Sequence, residues 1–186
     1  MQDLTRHIAA TLQQLRKQRG WSLDKTAAAT GVSKAMLGQI ERGESSPTVA
    51  TLWKIATGFE TSFSTFLEPS AQTEDIWRSH ASAGIQHQHQ NDITAKAIIP
   101  FDPQSGFELL QITLPAGIEY LSAAHARGVT EYVIPLDGTL EIMSDDQWHQ
   151  LAAGDAIRFD ASGAHGYRNR TEQPVSFHNL ICYPSA

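Results

Sequence analysis

The stretch from Trp21 to Gly43, WSLDKTAAATGVSKAMLGQIERG, constrains this chain more than any other. It reads as two short helices joined by a tight break. Ser22 is a good N-cap, because its hydroxyl can accept from a backbone N–H that the first helical turn leaves free. The apolar-periodic residues Leu23, Thr26 and Ala27 follow it, and Ala27, Ala28 and Ala29 are small enough for a second helix to cross closely. Thr30-Gly31-Val32 interrupts the run: Gly31 can take the positive φ of a turn between helices, and Val32 is expected in the core of that turn. Ser33 caps a second helix, Lys34 to about Glu41. On it Leu37 and Ile40 share a face, with Met36 at the edge. Lys34, Ala35, Gly38 and Gln39 are left on the other side, which suits the major groove of DNA. There Gln39 can bond both edge groups of an adenine, Lys34 can reach guanine or a phosphate, and Ala35 can offer its methyl to thymine.

The flanks carry a family resemblance. Arg16 and Arg19 precede the motif, Ala27 and Gly31-Val32-Ser33 form the turn, Ile40-Glu41-Arg42-Gly43 closes the second helix, Pro47-Thr48 follows, and Leu52-Trp53-Lys54-Ile55-Ala56 lies in the next helix. This order resembles the XRE-type, phage-repressor-like helix-turn-helix regulators over about a third of the chain. The resemblance implies that Glu41 is structural and pairs with Arg16, and that Ser33, Arg42 and the Gly43 backbone touch phosphates. Ser22, Ser33, Lys34, Ala35, Gln39, Arg42 and Gly43 are therefore the candidate DNA contacts.

Charge divides the chain in the same place. Residues 1–68 hold eight Lys and Arg against six Asp and Glu, whereas residues 69–186 hold six against fourteen. The net charge of −6 argues against a general polyanion binder, but the cationic part is the part read as DNA-binding. An excess of two is small, so tight binding calls for a dimer on a specific site. The single cysteine, Cys182, excludes an intrachain disulfide. The N-terminus is amphipathic without an apolar leader core, and no apolar run approaches a membrane span. A cytoplasmic protein is expected.

Along the chain, Leu4, Ile8, Leu12 and Leu15 define a first helix over 4–18, closed by Gly20. A fourth helix starts at Thr48 and ends at Gly58, and Ser62 caps a fifth, short one with Phe63, Phe66 and Leu67. Trp53 reads as core. Residues 1–68 thus form a five-helix, all-α unit of the lambda-repressor-like kind. Residues 69–92 are polar and read as a linker; Ile76 and Trp77 can dock on a neighbour, and His87 and His89 read as solvated. From residue 93 to 186 the pattern is short strands with Gly and Pro punctuation: Ile93–Ile99, Phe107–Leu114, Tyr132–Leu136, Thr139–Met143, Ala156–Phe159 and Val175–Tyr183. Many short strands at regular spacing suggest a sandwich or jelly-roll barrel.

Two segments carry a second resemblance. His125-Ala126-Arg127, then Glu131, then Gly138, and Gly154-Asp155 followed by Phe159-Asp160-Ala161, Gly163, His165 and Asn169, are similar in order and spacing to the two cupin motifs. In cupins the motif-one histidines and glutamate converge inside the barrel with the motif-two histidine. Carried over, these positions are His125, Arg127, Glu131 and His165. Arg127 departs from the pattern, since a guanidinium does not ligate metal, and Asp160 stands where the family usually has proline. The remaining His125, Glu131 and His165 suit Zn²⁺, or Fe²⁺ with open positions. An inward Arg127 is expected to hold the carboxylate of a small ligand by a bidentate bond. Tyr120, Tyr132, Phe159, Tyr167 and His178 are candidate walls, each also at home in a plain barrel core.

A DNA-reading unit joined to such a barrel resembles the XRE–cupin class of one-component regulators. The stretch KAMLGQIERGESSPTVATLWKIATG is similar to the sulfur-utilisation regulators of this class, which implies a sulfur-containing amino acid among the candidate effectors. The expected protein is a homodimeric, sequence-specific transcriptional regulator, not an enzyme. Its barrel senses a small carboxylate or amino acid, with a divalent metal (Zn or Fe) as the candidate cofactor. Two alternatives stand beside it: a cupin metalloenzyme, a dioxygenase or isomerase, carrying a DNA-binding head, and a barrel that only dimerises.

Overall fold

Four α-helices and a 3-10 turn build the N-terminal unit of the computed structural model, which describes residues 2–67 and 92–184. The helices are α1 (Gln2–Gln18), α2 (Leu23–Thr30), α3 (Lys34–Glu41) and α4 (Val49–Gly58). Each of the last three starts at the residue the sequence marks: the side chains of Ser22, Ser33 and Thr48 accept from the backbone N–H of Lys25, Met36 and Thr51. Gly31 sits at φ 66°, the left-handed region that lets α2 stop and α3 start at once. Leu12, Leu37, Ile40, Leu52, Ile55 and Phe59 close the core between these helices.

Two expectations change here, at the fifth helix and at Gly38, and one, at Gly58, holds for a further reason. The fifth helix is a single 3-10 turn, Phe63–Phe66, and Ser62 makes no cap bond to it; four residues are too few for an α-helix but enough to bury Phe63 and Phe66. Gly58 is the last residue of α4, yet its lack of a side chain serves packing: a Cβ there would lie 2.7 Å from Ala29 O and from Thr30 Cα. Gly38 does not share the exposed side of α3. It is buried, and a Cβ on it would meet Arg42 at 3.1 Å. The expected linker up to residue 91, with Pro69, Ile76, Trp77, His87 and His89, lies outside the described residues.

The C-terminal unit is two antiparallel sheets facing each other. One has five strands in the order β1 (Thr94–Asp102), β2 (Phe107–Leu114), β9 (Val175–Cys182), β4 (Thr130–Pro135), β7 (Ile157–Asp160). The other has the order β3 (Glu119–Ser122), β8 (His165–Arg168), β5 (Thr139–Ser144), β6 (Gln147–Ala152). Burial alternates along β2, β4, β5 and β9, so Leu110, Leu114, Val133, Leu140, Ile142, Phe177 and Ile181 fill the space between the sheets. β3, β6 and β8 have no alternation strong enough to read from sequence. β6 is exposed at four of its six residues, with only Leu151 buried, and the turn before it fixes its pairing with β5. Asp145 and Asp146 both have positive φ, 51° and 59°, and Ser144 pairs with Gln147 across them, the geometry of a two-residue hairpin.

The two units pack on each other, and their buried apolar residues form one continuous cluster. A buried carboxylate fixes the junction. Glu108 of β2 lies in phase with the inward Leu110 and Ile112. It accepts the backbone N–H groups of Phe63 (3.0 Å) and Ser64 (2.7 Å) from the 3-10 turn. Tyr183 also donates its hydroxyl to Glu108, and Phe101 N–H donates to the Ser64 hydroxyl at 2.7 Å. Burial pushes the Glu108 carboxyl above its ordinary range, against the pull of these donors.

Candidate functional site

The first candidate surface is the outward side of α3. Leu37, Gly38 and Ile40 face inward, while Lys34, Ala35, Met36 and Gln39 are exposed. Ser22, Ser33, Arg42 and Gly43 are exposed beside them. The two serines already cap α2 and α3. Lys34 pairs with Asp24 at 2.8 Å, and Arg42 makes two bonds to Glu44, at 2.8 and 2.7 Å, which raise the guanidinium pKa and lower that of Glu44. Both pairs are exposed, and such pairs are weak enough to open for a phosphate. Glu41 behaves differently. Arg16 holds it through Nε at 2.6 Å and a second guanidinium nitrogen at 2.8 Å, and donates once more to Trp21 O at 3.0 Å. This pair ties α1 to the end of α3, as the resemblance implied.

The second candidate is inside the barrel. His125 comes from the loop before β4, Glu131 from β4 and His165 from the first position of β8. Their ligand atoms all lie within 4.8 Å of one another. His125 Nε2 is 2.8 Å from Glu131 Oε1 and His165 Nε2 is 3.5 Å from the same oxygen. His165 Nδ1 lies 3.0 Å from Gly163 O. A carbonyl can only accept, so Nδ1 carries the proton. In the neutral ring Nε2 then holds a lone pair, buried and without a hydrogen-bond partner, aimed towards a carboxylate oxygen. Between that nitrogen and the carboxylate oxygen, a proton on the ring or a metal ion would satisfy both. Two imidazoles and a carboxylate on one side of that point are a donor set that Zn²⁺ or Fe²⁺ accepts.

The far oxygen of Glu131 is held in turn. Tyr167 donates its hydroxyl to Oε2, and Asn179 Nδ2 donates to it at 3.1 Å. Such partners fix the orientation of a ligating carboxylate. Burial alone would push Glu131 up, but the bond to His125, the nearby histidine charges and the tyrosine hydroxyl hold it below its ordinary value. Burial and the Glu131 charge raise Tyr167 well above its own. Tyr120 stacks on Tyr167 with ring centres 6.5 Å apart, and burial pushes it up to about 12. Phe159 packs on His165 at 5.5 Å.

Several sequence-picked residues lie elsewhere. Arg127 is exposed on the loop after β3 and does not point into the barrel. Gly128 beside it, at φ 88°, turns the chain there. Tyr132 and His178 belong to the outer face of the five-stranded sheet, because they alternate with the buried Glu131 and Val133, and with Phe177 and Asn179. Asn179 and Glu108 went unremarked in the sequence, though each is a polar residue in phase with a strand's apolar inward positions.

One contact crosses from the helical unit into the barrel site. The Trp53 ring of α4 lies 5.6 Å from the His125 ring, and Thr57 Oγ1 is 3.5 Å from His125 Nδ1. Trp53 is a core residue, as expected, packed at 4.2 Å on Phe63. It also touches the cluster.

Comparison with known proteins agrees with this geometry. A helix-turn-helix family model matches residues 12–66, and a cupin domain model matches residues 110–182. The HTH-type transcriptional regulator SutR of Escherichia coli (strain K12) is 48% identical over 184 residues, 99% of each chain. The crystal structure of an HTH_3 family transcriptional regulator from Vibrio cholerae superposes with a TM-score of 0.78 at 43% identity, covering 98% of both chains. The HTH-type transcriptional regulator SinR of Bacillus subtilis is 34% identical over 68 residues, which is 36% of this chain and 61% of that protein. No helix among the described residues is long and apolar enough to cross a membrane. With its helix-turn-helix head, its cupin barrel and a full-length match to a regulator built the same way, the chain belongs to the XRE-type transcriptional regulators that carry a C-terminal cupin domain.

Proposed function

We propose that this regulator is a sensor. The barrel binds a divalent metal at His125, Glu131 and His165 together with a small effector, an amino acid or related carboxylate, and the outcome is read by the DNA-binding head. Two copies act as a homodimer joined through their barrels, so that two α3 helices address successive major grooves. Gln39, Lys34 and Ala35 face base edges, while Ser22, Ser33, Arg42 and the Gly43 backbone approach phosphates. The similarity to SutR keeps a sulfur-containing amino acid among the effectors to test.

The observation that carries the sensor reading is the double membership of His125. It is part of the buried cluster and it packs against Trp53 and Thr57 of α4. An effector shifts a pose only to the extent that it binds one pose better. A group shared by the site and the head gives it that handle. The test is DNA affinity of the full-length protein with Zn²⁺ or Fe²⁺ added and after chelation, on a duplex selected from a random pool. A change of about fivefold or more is expected in the wild type, lost in His165→Ala. Identical affinities in all four states would overturn the sensor reading in favour of a barrel that only dimerises.

A further inference from the structure

Beside the cluster lies a cavity of about 220 Å³ that belongs to neither unit alone. Trp53 and Glu60 line it from the head; Phe101, His125 and Tyr183 line it from the barrel. We propose that this junction cavity is a binding site for the ammonium group of a small organic amine or amino acid, clasped between head and barrel. The proposal rests on the sensor reading above and adds what the sensor selects for, which is the amino end of its ligand.

Charge is the first argument. Glu60, an exposed residue, is the acidic residue of the lining, and neither lysine nor arginine lines the cavity among the described residues. A ligand whose sole charge is a carboxylate would meet Glu60 without a compensating cation from the walls. The backbone works in the same direction. Ala56 and Thr57, in the last turn of α4, line the cavity; their carbonyls already accept from Thr61 and Glu60, so the helix end adds only the residual negative field of its dipole. Glu60 is held at φ 47° just past that end, with its N–H on Thr57 O at 2.9 Å. The walls complete the match. Trp53, Phe101 and Tyr183 offer aromatic surface that attracts an ammonium and accommodates a short apolar body. An amino acid held this way by its amino group has its carboxylate free for the His125 side. Because the two units each supply part of the wall, a bound ligand favours the arrangement in which they meet.

Three probes share one branched carbon body: isoamylamine carries only the amine, leucine carries both groups, and 4-methylpentanoate carries only the carboxylate. Calorimetric titration of the full-length protein is expected to show the first two binding about tenfold more tightly than the third. Glu60→Gln, on an exposed residue, is expected to weaken both amines about fivefold and, with the repulsion gone, to bind 4-methylpentanoate no more weakly than the wild type does. In His165→Ala the amines should bind as in the wild type, because His165 does not line the cavity, whereas any metal response of DNA binding should vanish. Equal or tighter binding of 4-methylpentanoate, no binding of any probe at millimolar concentration, an unchanged Glu60→Gln variant, or loss of amine binding in His165→Ala would each overturn the proposal. The metal arm of the preceding test stands or falls separately, since it is read without an amine present.

Discussion

Arg16 and Glu41 sit 25 positions apart and make a bidentate pair whose side chains are 18% and 8% exposed. The bond to Glu41 raises the guanidinium pKa further, so Arg16 stays charged at any working pH. Removing one partner strands the other partly buried, which costs more than the intact pair contributes. Glu41→Ala should therefore lose about 2–3 kcal/mol, read as a lower urea midpoint with an unchanged slope. Gln39 is the opposite kind of residue, exposed and without a structural task. Gln39→Ala should leave stability as it is and cost about 1–3 kcal/mol of DNA binding at one base pair. Anisotropy titrations against singly substituted duplexes check this, and an equal loss on every sequence would make Gln39 a backbone contact instead.

At the scale of elements, the close crossing of α2 and α4 depends on a missing side chain. Gly58→Ala would drive a methyl into Ala29 O and the Thr30 backbone at 2.7 Å. Backbone cannot swing aside as a side chain can, so the helices must part. A loss of about 1–3 kcal/mol is expected, against the gain in helix propensity that Ala would bring at an open position. Chemical denaturation of the variant measures it, and an unchanged or raised midpoint would show that the crossing is looser than described. The β5–β6 hairpin makes a related point. Four of the six residues of β6 are exposed and Leu151 alone is buried, so the two positive-φ aspartates of the turn fix the register with little help from apolar burial.

For the whole molecule, Glu108 is the group that ties the units together, and it gives the junction a pH dependence of definite sign. Burial raises its folded pKa above the ordinary 4.5. A raised carboxyl binds its proton more tightly in the folded chain than in the unfolded one. The stability it contributes is thus fully present below the unfolded value and is lost as pH rises through the folded value. Glu108→Gln does not titrate. The melting temperature of the wild type should therefore fall relative to that of Glu108→Gln as pH rises from 4.5; a rise instead would mean that the Phe63, Ser64 and Tyr183 donors outweigh burial and stabilise the carboxylate.

Local chemistry was enough to determine much of this protein. Ser22, Ser33 and Thr48 mark helix starts because a hydroxyl one residue ahead of a helix has free N–H groups to meet. Gly31 marks the turn because few other residues tolerate its φ, and the alternation in Phe107–Leu114 and Val175–Cys182 marks strands because one face of each must be dry. Two histidines and a glutamate were legible as a cluster only through the resemblance to the cupin motifs. Only the tertiary structure decided the rest. It placed Arg127 in solvent, turned Tyr132 and His178 to the outer face and buried Gly38. It also brought Asn179 to the cluster, closed Glu108 on the 3-10 turn, and set Trp53 against His125 across 72 residues of sequence. The physical reason is that capping and alternation act between near neighbours in the chain, whereas a junction is made by residues whose separation in sequence carries no information about their separation in space.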